Sequence, residues 1–190
     1  MKNLALFASG NGTNVQRIAE YFADSVDIRI KVIVCNNPKA YVLERAKNLG
    51  IETLLIKDKE SFFHSNEVLE ILQQNNIDLI VLAGFLWLIP NNLIEAYPNK
   101  IINLHPALLP KYGGKGMYGM HVHEAVVANG ETETGITIHY VNQCYDEGKI
   151  IFQAKCSLSP DDTAEDVARK IHGLEYEYFP EVIGRVFSLF

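Results

Sequence analysis

Short apolar runs alternate with stretches of helical period along most of this chain, and this alternation limits the possible folds more than any other feature. Leu4 to Ala8 is predicted to be a buried strand, a Gly/Asn turn follows, and Val15, Ile18, Ala19 and Phe22 then share one helical face. Further strands are predicted at Ile28 to Cys35, Glu52 to Ile56, Asp78 to Ala83 and a segment ending at Asn103, and further helices at Tyr41 to Leu49 and Glu60 to Asn75. The pattern predicts an α/β fold with a mostly parallel, twisted sheet, right-handed crossovers and helices on both faces.

The pattern changes after Asn103. Lys111 to Gly119 contains glycines 113, 114, 116 and 119 and predicts a loop, which leads into a helix at His121 to Asn129. Two strands, Thr134 to Val141 and Gly148 to Cys156, are close enough in sequence to pair antiparallel at the edge of a sheet of about seven strands. A last helix is expected, capped by Asp161 or Asp162, with an apolar stripe at Val167, Ile171, Leu174 and Tyr178.

Length and composition predict one soluble domain covering residues 1–190. The formal charge of −6 and the scattered basic residues disfavour nucleic acid as a partner. The three widely spaced cysteines predict neither disulfides nor a zinc site, so we expect reduced thiols and a cytoplasmic protein. No signal peptide is recognisable, and no apolar run approaches the roughly 18 residues of a membrane helix.

The segment Ile101 to Pro110 carries the strongest indication of chemistry. Two β-branched residues run into Asn103, His105 and Pro106, so a buried strand is predicted to end on polar side chains. Ligands bind at the carboxyl ends of such strands, and residues two apart on a strand share a face. An amide and an imidazolium can together stabilise an oxyanion, although a histidine that merely hydrogen-bonds a strand end is the alternative.

The turn Ser9 to Asn14 is the most suitable place for an anion. Gly10 and Gly12 allow close approach to the backbone, and the N–H groups of residues 12–14 would face a ligand at the positive end of the helix dipole. The turn lacks the third glycine and the later carboxylate of a dinucleotide site, so we expect a monophosphate. The alternative is a tight turn with an Asn/Thr cap.

Three other segments have a functional and a structural interpretation. Ala83 to Pro90 follows a strand end and predicts either a pocket wall for a flat ring or ordinary core. Asp146 is either a turn residue or a carboxylate that keeps His105 charged from the loop between the late strands. Cys144 with His139 or His105 could form a thiol nucleophile, but no activating helix terminus or basic neighbour is evident. His121 and His123 should diverge on a helix, so we predict no metal site.

Five motifs taken together resemble the folate-dependent glycinamide ribonucleotide formyltransferase family of purine biosynthesis. They are SGNGTN at 9–14, VLAGF at 81–85, INLHPALLPKY at 102–112, TGITIHYV at 134–141 and Asp146-Glu147-Gly148, in that order along nearly the whole chain. The Asn-x-His-Pro segment with a downstream Asp is common to folate-dependent formyl-transferring relatives. The SGNG[ST]N loop is particular to the ribonucleotide-acting branch. The resemblance implies a Rossmann-like, three-layer formyltransferase fold.

The resemblance also implies a role for individual residues. Asn103, His105 and Asp146 would be catalytic. The phosphate and ribose of the substrate would bind at Gly12, Thr13, Asn14, His172, Gly173, Leu174 and Glu175. The folate would bind at Lys59, Leu86, Trp87, Leu88, Ile89, Asn103, Asn142, Gln143, Cys144, Tyr145 and Asp146, and His121 would line the pocket. The N-terminal half would thus bind phosphate, and the C-terminal half would bind folate and carry catalysis.

The implied reaction transfers the formyl group of 10-formyltetrahydrofolate, as co-substrate, to the amine of 5'-phosphoribosylglycinamide, without metal or NAD. The expected partners are therefore small molecules, with no membrane, and the oligomeric state is left as monomer or homodimer. A formyltetrahydrofolate hydrolase and a non-catalytic phosphate-binding module are the alternatives. Two departures affect the folate end and the active-site loop, because Trp87 replaces a familiar Arg and Gly113 to Gly119 is longer than usual.

Overall fold

The computed structural model describes residues 1–189, which form a seven-stranded sheet with the strand order β3-β2-β1-β4-β5-β6-β7. The strands are β1 Lys2–Ala8, β2 Ile28–Cys35, β3 Glu52–Leu55, β4 Ile77–Leu82, β5 Ile101–His105, β6 Glu133–Tyr140 and β7 Ile150–Ser157. β6 runs antiparallel to both of its neighbours, and every other pair is parallel. The prediction of a mostly parallel sheet with an antiparallel strand near the C-terminal edge is confirmed.

Seven helices surround this sheet in the described part of the chain. They are α1 Thr13–Tyr21, α2 Val42–Leu49, α3 Lys59–His64, α4 Glu67–Gln74, α5 Asn91–Ala96, α6 Met120–Ala128 and α7 Ala164–Phe187. None of the helices within residues 1–189 is both long and apolar enough to cross a membrane. Sequence analysis had not predicted α5, which begins directly after Pro90.

The alternating side chains of β1 divide the core into two layers. Leu4, Leu6 and Ala8 pack with α1, α2 and α7 on one face, whereas Ala5 and Phe7 pack with α3, α4 and α5 on the other. A strand buried on both faces must be apolar at every position, as β1 is from Leu4 onward. From β1 the sheet is extended in one direction by β2 and β3, and from β4 it is extended in the other direction by β5, β6 and β7. Ligands bind at such a switch point between neighbouring strands, here β1 and β4.

Two predicted helix boundaries were wrong. The stretch predicted as one helix from Glu60 to Asn75 is two helices, because Ser65 is extended (φ −111°, ψ 167°) and its carbonyl accepts a hydrogen bond from the Asn92 side chain at 3.0 Å. The last helix is capped by Thr163, which forms a reciprocal capping box with Asp166, and not by Asp161 or Asp162. Asp162 instead accepts hydrogen bonds from Ser159 N and Lys170 Nζ.

The buried stripe of α7 also differs from the predicted one. Val167 and Ile171 are fully buried, as expected, but Leu174 and Tyr178 are only half-buried. The stripe continues through Glu175, an acidic residue with only 6% of its surface exposed. A carboxyl group in that position is uncommon in a helix core and points to a role beyond packing.

Candidate functional site

A cavity of about 720 Å³ lies at the carboxyl ends of β1, β4 and β5. Its walls come from the turn after β1, the segment after β4, the polar end of β5, the glycine loop Gly113 to Gly119 and the loop between β6 and β7. The volume is within the range of small-molecule sites, and the position is the one where open α/β sheets bind ligands.

The turn before α1 presents its backbone to this cavity. Gly12 has a left-handed conformation (φ 76°), and no side chain caps the helix. A Cβ on Gly12 would lie 2.4 Å from Val42 Cγ2, so only glycine fits between the turn and α2. From behind, Arg45 donates to Asn11 O at 2.8 Å and to Asn11 Oδ1 at 2.7 Å. The turn is therefore held in place, and its first helical N–H groups can receive an anion.

The turn is connected to α7 through a buried pair. Asn14 Nδ2 donates to Glu175 Oε2 at 2.9 Å, while Asn14 Oδ1 is buried without a partner among the described residues. Burial raises the pKa of Glu175 from 4.5 to about 7, although the bond from Asn14 acts in the opposite direction. Near neutral pH the Glu175 carboxyl group can therefore accept hydrogen bonds from hydroxyl groups when it is ionised and donate one to them when it is protonated.

Replacing Glu175 with Gln should flatten the pH dependence of stability. The Glu175 carboxyl loses its proton near pH 4.5 in the unfolded chain but only near pH 7 in the folded chain. Between these two pH values the folded state binds more protons than the unfolded state, so the free energy of unfolding falls as pH rises. Between pH 5 and 8 the native protein should lose about 2.5 kcal/mol more unfolding free energy than Glu175→Gln. Urea unfolding of the ligand-free protein measures this difference. The exposed neighbour Glu177→Gln should keep the native slope, and a native slope in Glu175→Gln would contradict the assignment.

The structure brings Asn103, His105 and Asp146 together. His105 Nδ1 lies 3.5 Å from Asp146 Oδ2, and Asn103 Nδ2 lies 3.4 Å from Asp146 Oδ1. Asn103 and His105 share a face of β5, and the loop after β6 returns Asp146 to them. Asp146 has a left-handed backbone (φ 57°), a conformation that costs a non-glycine residue about 1–3 kcal/mol and that clusters at functional sites.

His139 is a fourth member of this cluster, which sequence analysis considered only as a partner for Cys144. It stands opposite Asn103 in the antiparallel pair β5–β6, and its Nε2 is 3.1 Å from Asn103 Nδ2 and 3.6 Å from Asp146 Oδ1. Neutral His139 donates from Nδ1 to Tyr140 O at 2.8 Å, so its Nε2 accepts from the Asn103 amide. The only sequence signal was a histidine within a predicted strand, and identifying its neighbour requires the β5–β6 register.

Burial and charge act in opposite directions on the two titrating groups. Burial lowers the pKa of His105 below its ordinary value, against the raising effects of Asp146 and of the Tyr112 carbonyl. Burial would raise the pKa of Asp146, but its contact with His139, the charge of His105 and the Gly114 N–H together lower it. Asp146 is therefore ionised near neutral pH, and His105 is mainly neutral in the ligand-free protein. Sequence analysis offered Asp146 as the carboxylate that keeps His105 charged, but it did not include the burial of the imidazole, which opposes that charge.

The glycine loop is attached directly to the cluster. His105 Nε2 donates to Tyr112 O at 2.7 Å, and Gly114 N donates to Asp146 Oδ2 at 3.0 Å. Tyr112, like Asp146, has a φ of 57°. The start of the loop thus fixes the orientation of both the imidazole and the carboxylate, and any movement of the loop is transmitted to them.

The other end of the cavity is aromatic. Trp87 packs against Phe62 and Phe85, with ring centroids 5.7 and 6.2 Å away. Lys59 Nζ lies 5.7 Å from the centre of the Trp87 ring, a cation–π distance, although Lys59 itself does not line the cavity. This wall is suited to a flat ring, in agreement with the pocket interpretation of the segment Ala83 to Pro90.

Most of the residues implied by the resemblance line the cavity: Gly12, Thr13, Asn14, Leu86, Trp87, Leu88, Ile89, Asn103, His105, Asn142, Cys144, Tyr145, Asp146, His172 and Glu175. The structure places Lys59, His121, Gln143, Gly173 and Leu174 outside its lining. His121 is exposed beside Tyr118, and His123 faces the cavity instead, because helix neighbours two apart point in different directions. Burial lowers the pKa of His123 to about 4. The described residues contain no cluster of three metal-binding side chains.

Fold and site together define an α/β protein with a cavity suited to small molecules, and comparison with known proteins identifies its family. The family model described as "Formyl transferase" matches residues 2–183. The chain therefore belongs to the formyl transferase family. This result confirms the family resemblance inferred from the five sequence motifs.

Individual relatives narrow the comparison to one branch of this family. The chain is 37% identical to a chloroplastic phosphoribosylglycinamide formyltransferase of Arabidopsis thaliana, with 97% of this chain and 65% of that protein covered. It is 35% identical to the phosphoribosylglycinamide formyltransferase of Bacillus subtilis, with 100% and 96% covered. The crystal structure of the Streptococcus pneumoniae phosphoribosylglycinamide formyltransferase superposes with a TM-score of 0.85 at 36% identity, covering 98% and 99% of the two chains. The chain thus spans about two thirds of the plant relative and nearly all of the bacterial ones.

Proposed function

We propose that this chain transfers the formyl group of 10-formyltetrahydrofolate to the amine of 5'-phosphoribosylglycinamide, giving the N-formyl product and tetrahydrofolate. The observation that carries the proposal is the convergence of Asn103, His105 and Asp146 in the cavity that also contains the anion-receiving turn before α1. An acyl-transfer cluster and a phosphate site in one cavity suit a phosphorylated acceptor. All relatives named above are called phosphoribosylglycinamide formyltransferases.

Asn103 is assigned to the formyl oxygen that becomes negative when the amine adds to the formyl carbon. Its Nδ2 group already donates to His139 Nε2 at 3.1 Å and more weakly to Asp146 Oδ1 at 3.4 Å. The longer bond is the one that a substrate oxygen would replace. His139 then keeps the amide oriented while the other N–H turns to the developing charge, which is how a preorganised donor lowers a barrier.

His105 is assigned to the same oxygen as a charged donor through Nδ1, which lies 3.5 Å from Asp146 Oδ2 and so makes no strong hydrogen bond there. Asp146 is assigned to holding that charge and to accepting the proton of the attacking amine through a water. The proton then passes to the folate nitrogen as the bond between that nitrogen and the formyl carbon breaks. In the ligand-free protein burial keeps the imidazole mainly neutral, and Asp146 opposes burial. Negative charge on the formyl oxygen adds a second anion beside the imidazole and so favours its protonated form further. The cationic form is thus stabilised most where the reaction requires it.

The two substrates would lie side by side along the cavity. The phosphate would bind at Gly12 to Asn14 and the ribose at Glu175, whereas the folate would bind between Leu86 to Ile89 and the loop Asn142 to Asp146. The N-terminal half thus supplies the phosphate site and the C-terminal half the catalytic groups, whereas contacts to the folate come from both halves. Holding both reactants in one cavity contributes to the rate by orientation. The free cysteines suit the reducing cytoplasm.

The experiment is to mix the protein with 10-formyltetrahydrofolate, with and without 5'-phosphoribosylglycinamide, and to follow the deformylated folate by absorbance together with the formylated product. The proposal requires turnover that depends on the ribonucleotide. Equal turnover without it would make water the acceptor and the chain a hydrolase. Binding of both compounds without turnover would leave a binding module.

A further inference from the structure

Positive charge is scarce in the cavity proposed to take a phosphorylated substrate. Lys115 is the one lysine or arginine among the described residues that line the cavity, whereas Asp146 and Glu175 both line it. A phosphate monoester carries about 1.5 to 2 negative charges near pH 7. An anion of that charge in a partly enclosed site is stabilised by a counter-charge as well as by N–H donors.

The Lys115 ammonium is available for such a contact. The side chain is exposed, and no hydrogen bond or ion pair between described residues involves it. Lys111, four residues earlier, is instead paired with Glu131 at 2.9 Å. Gly114 (φ 95°) and Gly116 (φ 89°) flank Lys115. Glycine has a wider range of backbone conformations than other residues, so the backbone on both sides of Lys115 can change its direction easily.

The position of Lys115 connects the reacting centre with the ribose end of the site. Immediately before it, Gly114 N binds the Asp146 carboxylate at 3.0 Å. The same loop ends at Gly119, where α6 begins, and α6 packs against α7, the helix that carries His172 and Glu175. His123 of α6 interacts electrostatically with His172 across that contact. The loop therefore passes beside the part of the cavity assigned to the ribonucleotide.

We propose that Lys115 binds the phosphate of the ribonucleotide substrate, opposite the N–H groups at the start of α1. This inference rests on the function proposed above and adds a residue that determines which acceptor is used. The carboxylates of the folate are the other anions in the reaction, but the folate end has a different lysine, Lys59, next to Trp87. Because Lys59 lies outside the cavity lining, Lys115 is the lysine that the described part of the cavity itself presents to a bound anion.

The test compares Lys115→Ala, Lys115→Arg and the matched control Lys111→Ala. Each is assayed with 5'-phosphoribosylglycinamide and with its dephosphorylated nucleoside. Lys115→Ala should raise KM for the ribonucleotide about 10- to 100-fold, as expected for a lost charged hydrogen bond, and should leave KM for the folate unchanged. With the nucleoside, Lys115→Ala and the native protein should have equal kcat/KM. Lys115→Arg should recover part of the loss, and Lys111→Ala should match the native protein because an exposed ion pair contributes little.

Two results would overturn the inference. A penalty that falls on KM for the folate would assign Lys115 to the folate carboxylates, and an equal penalty with the nucleoside would make it a residue that only shapes the loop. Calorimetric binding of the ribonucleotide alone separates this inference from the proposed function. Binding that weakens in Lys115→Ala would support the phosphate contact even in a protein that proved unable to transfer formyl groups.

Discussion

Replacing His105 with Ala is expected to lower kcat by about two to four orders of magnitude while changing KM for either substrate less than about threefold. The imidazole is 3% exposed and is held at Nε2 by the Tyr112 carbonyl and at Nδ1 by Asp146. A group fixed in this way, away from both proposed binding ends, contributes mainly to the transition state. Steady-state kinetics with each substrate varied in turn gives the two parameters.

The variant His105→Gln separates this catalytic role from support of the loop. The Gln amide can still donate to the Tyr112 carbonyl, which preserves the attachment of the glycine loop, but it cannot become a cation. We therefore expect Gln to be as inactive as Ala. Recovery of most of the activity in His105→Gln would mean that the imidazole acts only by holding the loop, and a loss confined to KM would make His105 a binding residue.

The sheet could be predicted from the sequence because its physical requirements are local. Strands buried on both faces must be apolar at nearly every position, and Ile28 to Cys35 was predicted with the bounds that the structure shows for β2. The position of Asn103 and His105 at a strand end was equally visible, since Pro106 stops the strand. Asp146 was placed near them only through the chain order of the last two strands, and that placement is confirmed.

The features that sequence analysis missed depend on contacts between distant segments. The break at Ser65 is stabilised by Asn92, which lies 27 residues away, so the helical period of Glu60 to Asn75 gave no sign of it. His139 required the β5–β6 register, and the low pKa of His105 required its burial. Lys115 could not be recognised from the sequence because it stands out only as the one lysine or arginine that lines the described part of the cavity. The lining residues are known only from the folded structure.

Replacing Asp146 with Asn should lower activity most strongly at high pH. Burial depresses the pKa of His105, and the Asp146 carboxylate is the largest of the influences that raise it. An amide of the same shape removes that influence, so the pKa of His105 falls further below its ordinary value. Because the protonated imidazole is the proposed active form, the limb on which kcat/KM declines with rising pH should move to lower pH by the same amount. The loss should be largest on the alkaline side of this limb, about 10-fold for each pH unit by which the limb moves, and should shrink at the acid end of the profile, where the imidazole is protonated in both proteins.

The pH profile distinguishes this electrostatic role from a structural one. The amide introduced by Asp146→Asn retains an oxygen that can accept from Gly114 N, so the loop attachment at 3.0 Å can persist. Glu147→Gln removes a charge from the adjacent, exposed position and should leave the profile in place. A limb that keeps its native position between pH 4 and 8 in Asp146→Asn, with an equal loss at every pH, would mean that the carboxylate does not set the charge of His105. The proton transfer from the amine would then be its main contribution, because that step needs a carboxylate at every pH in this range.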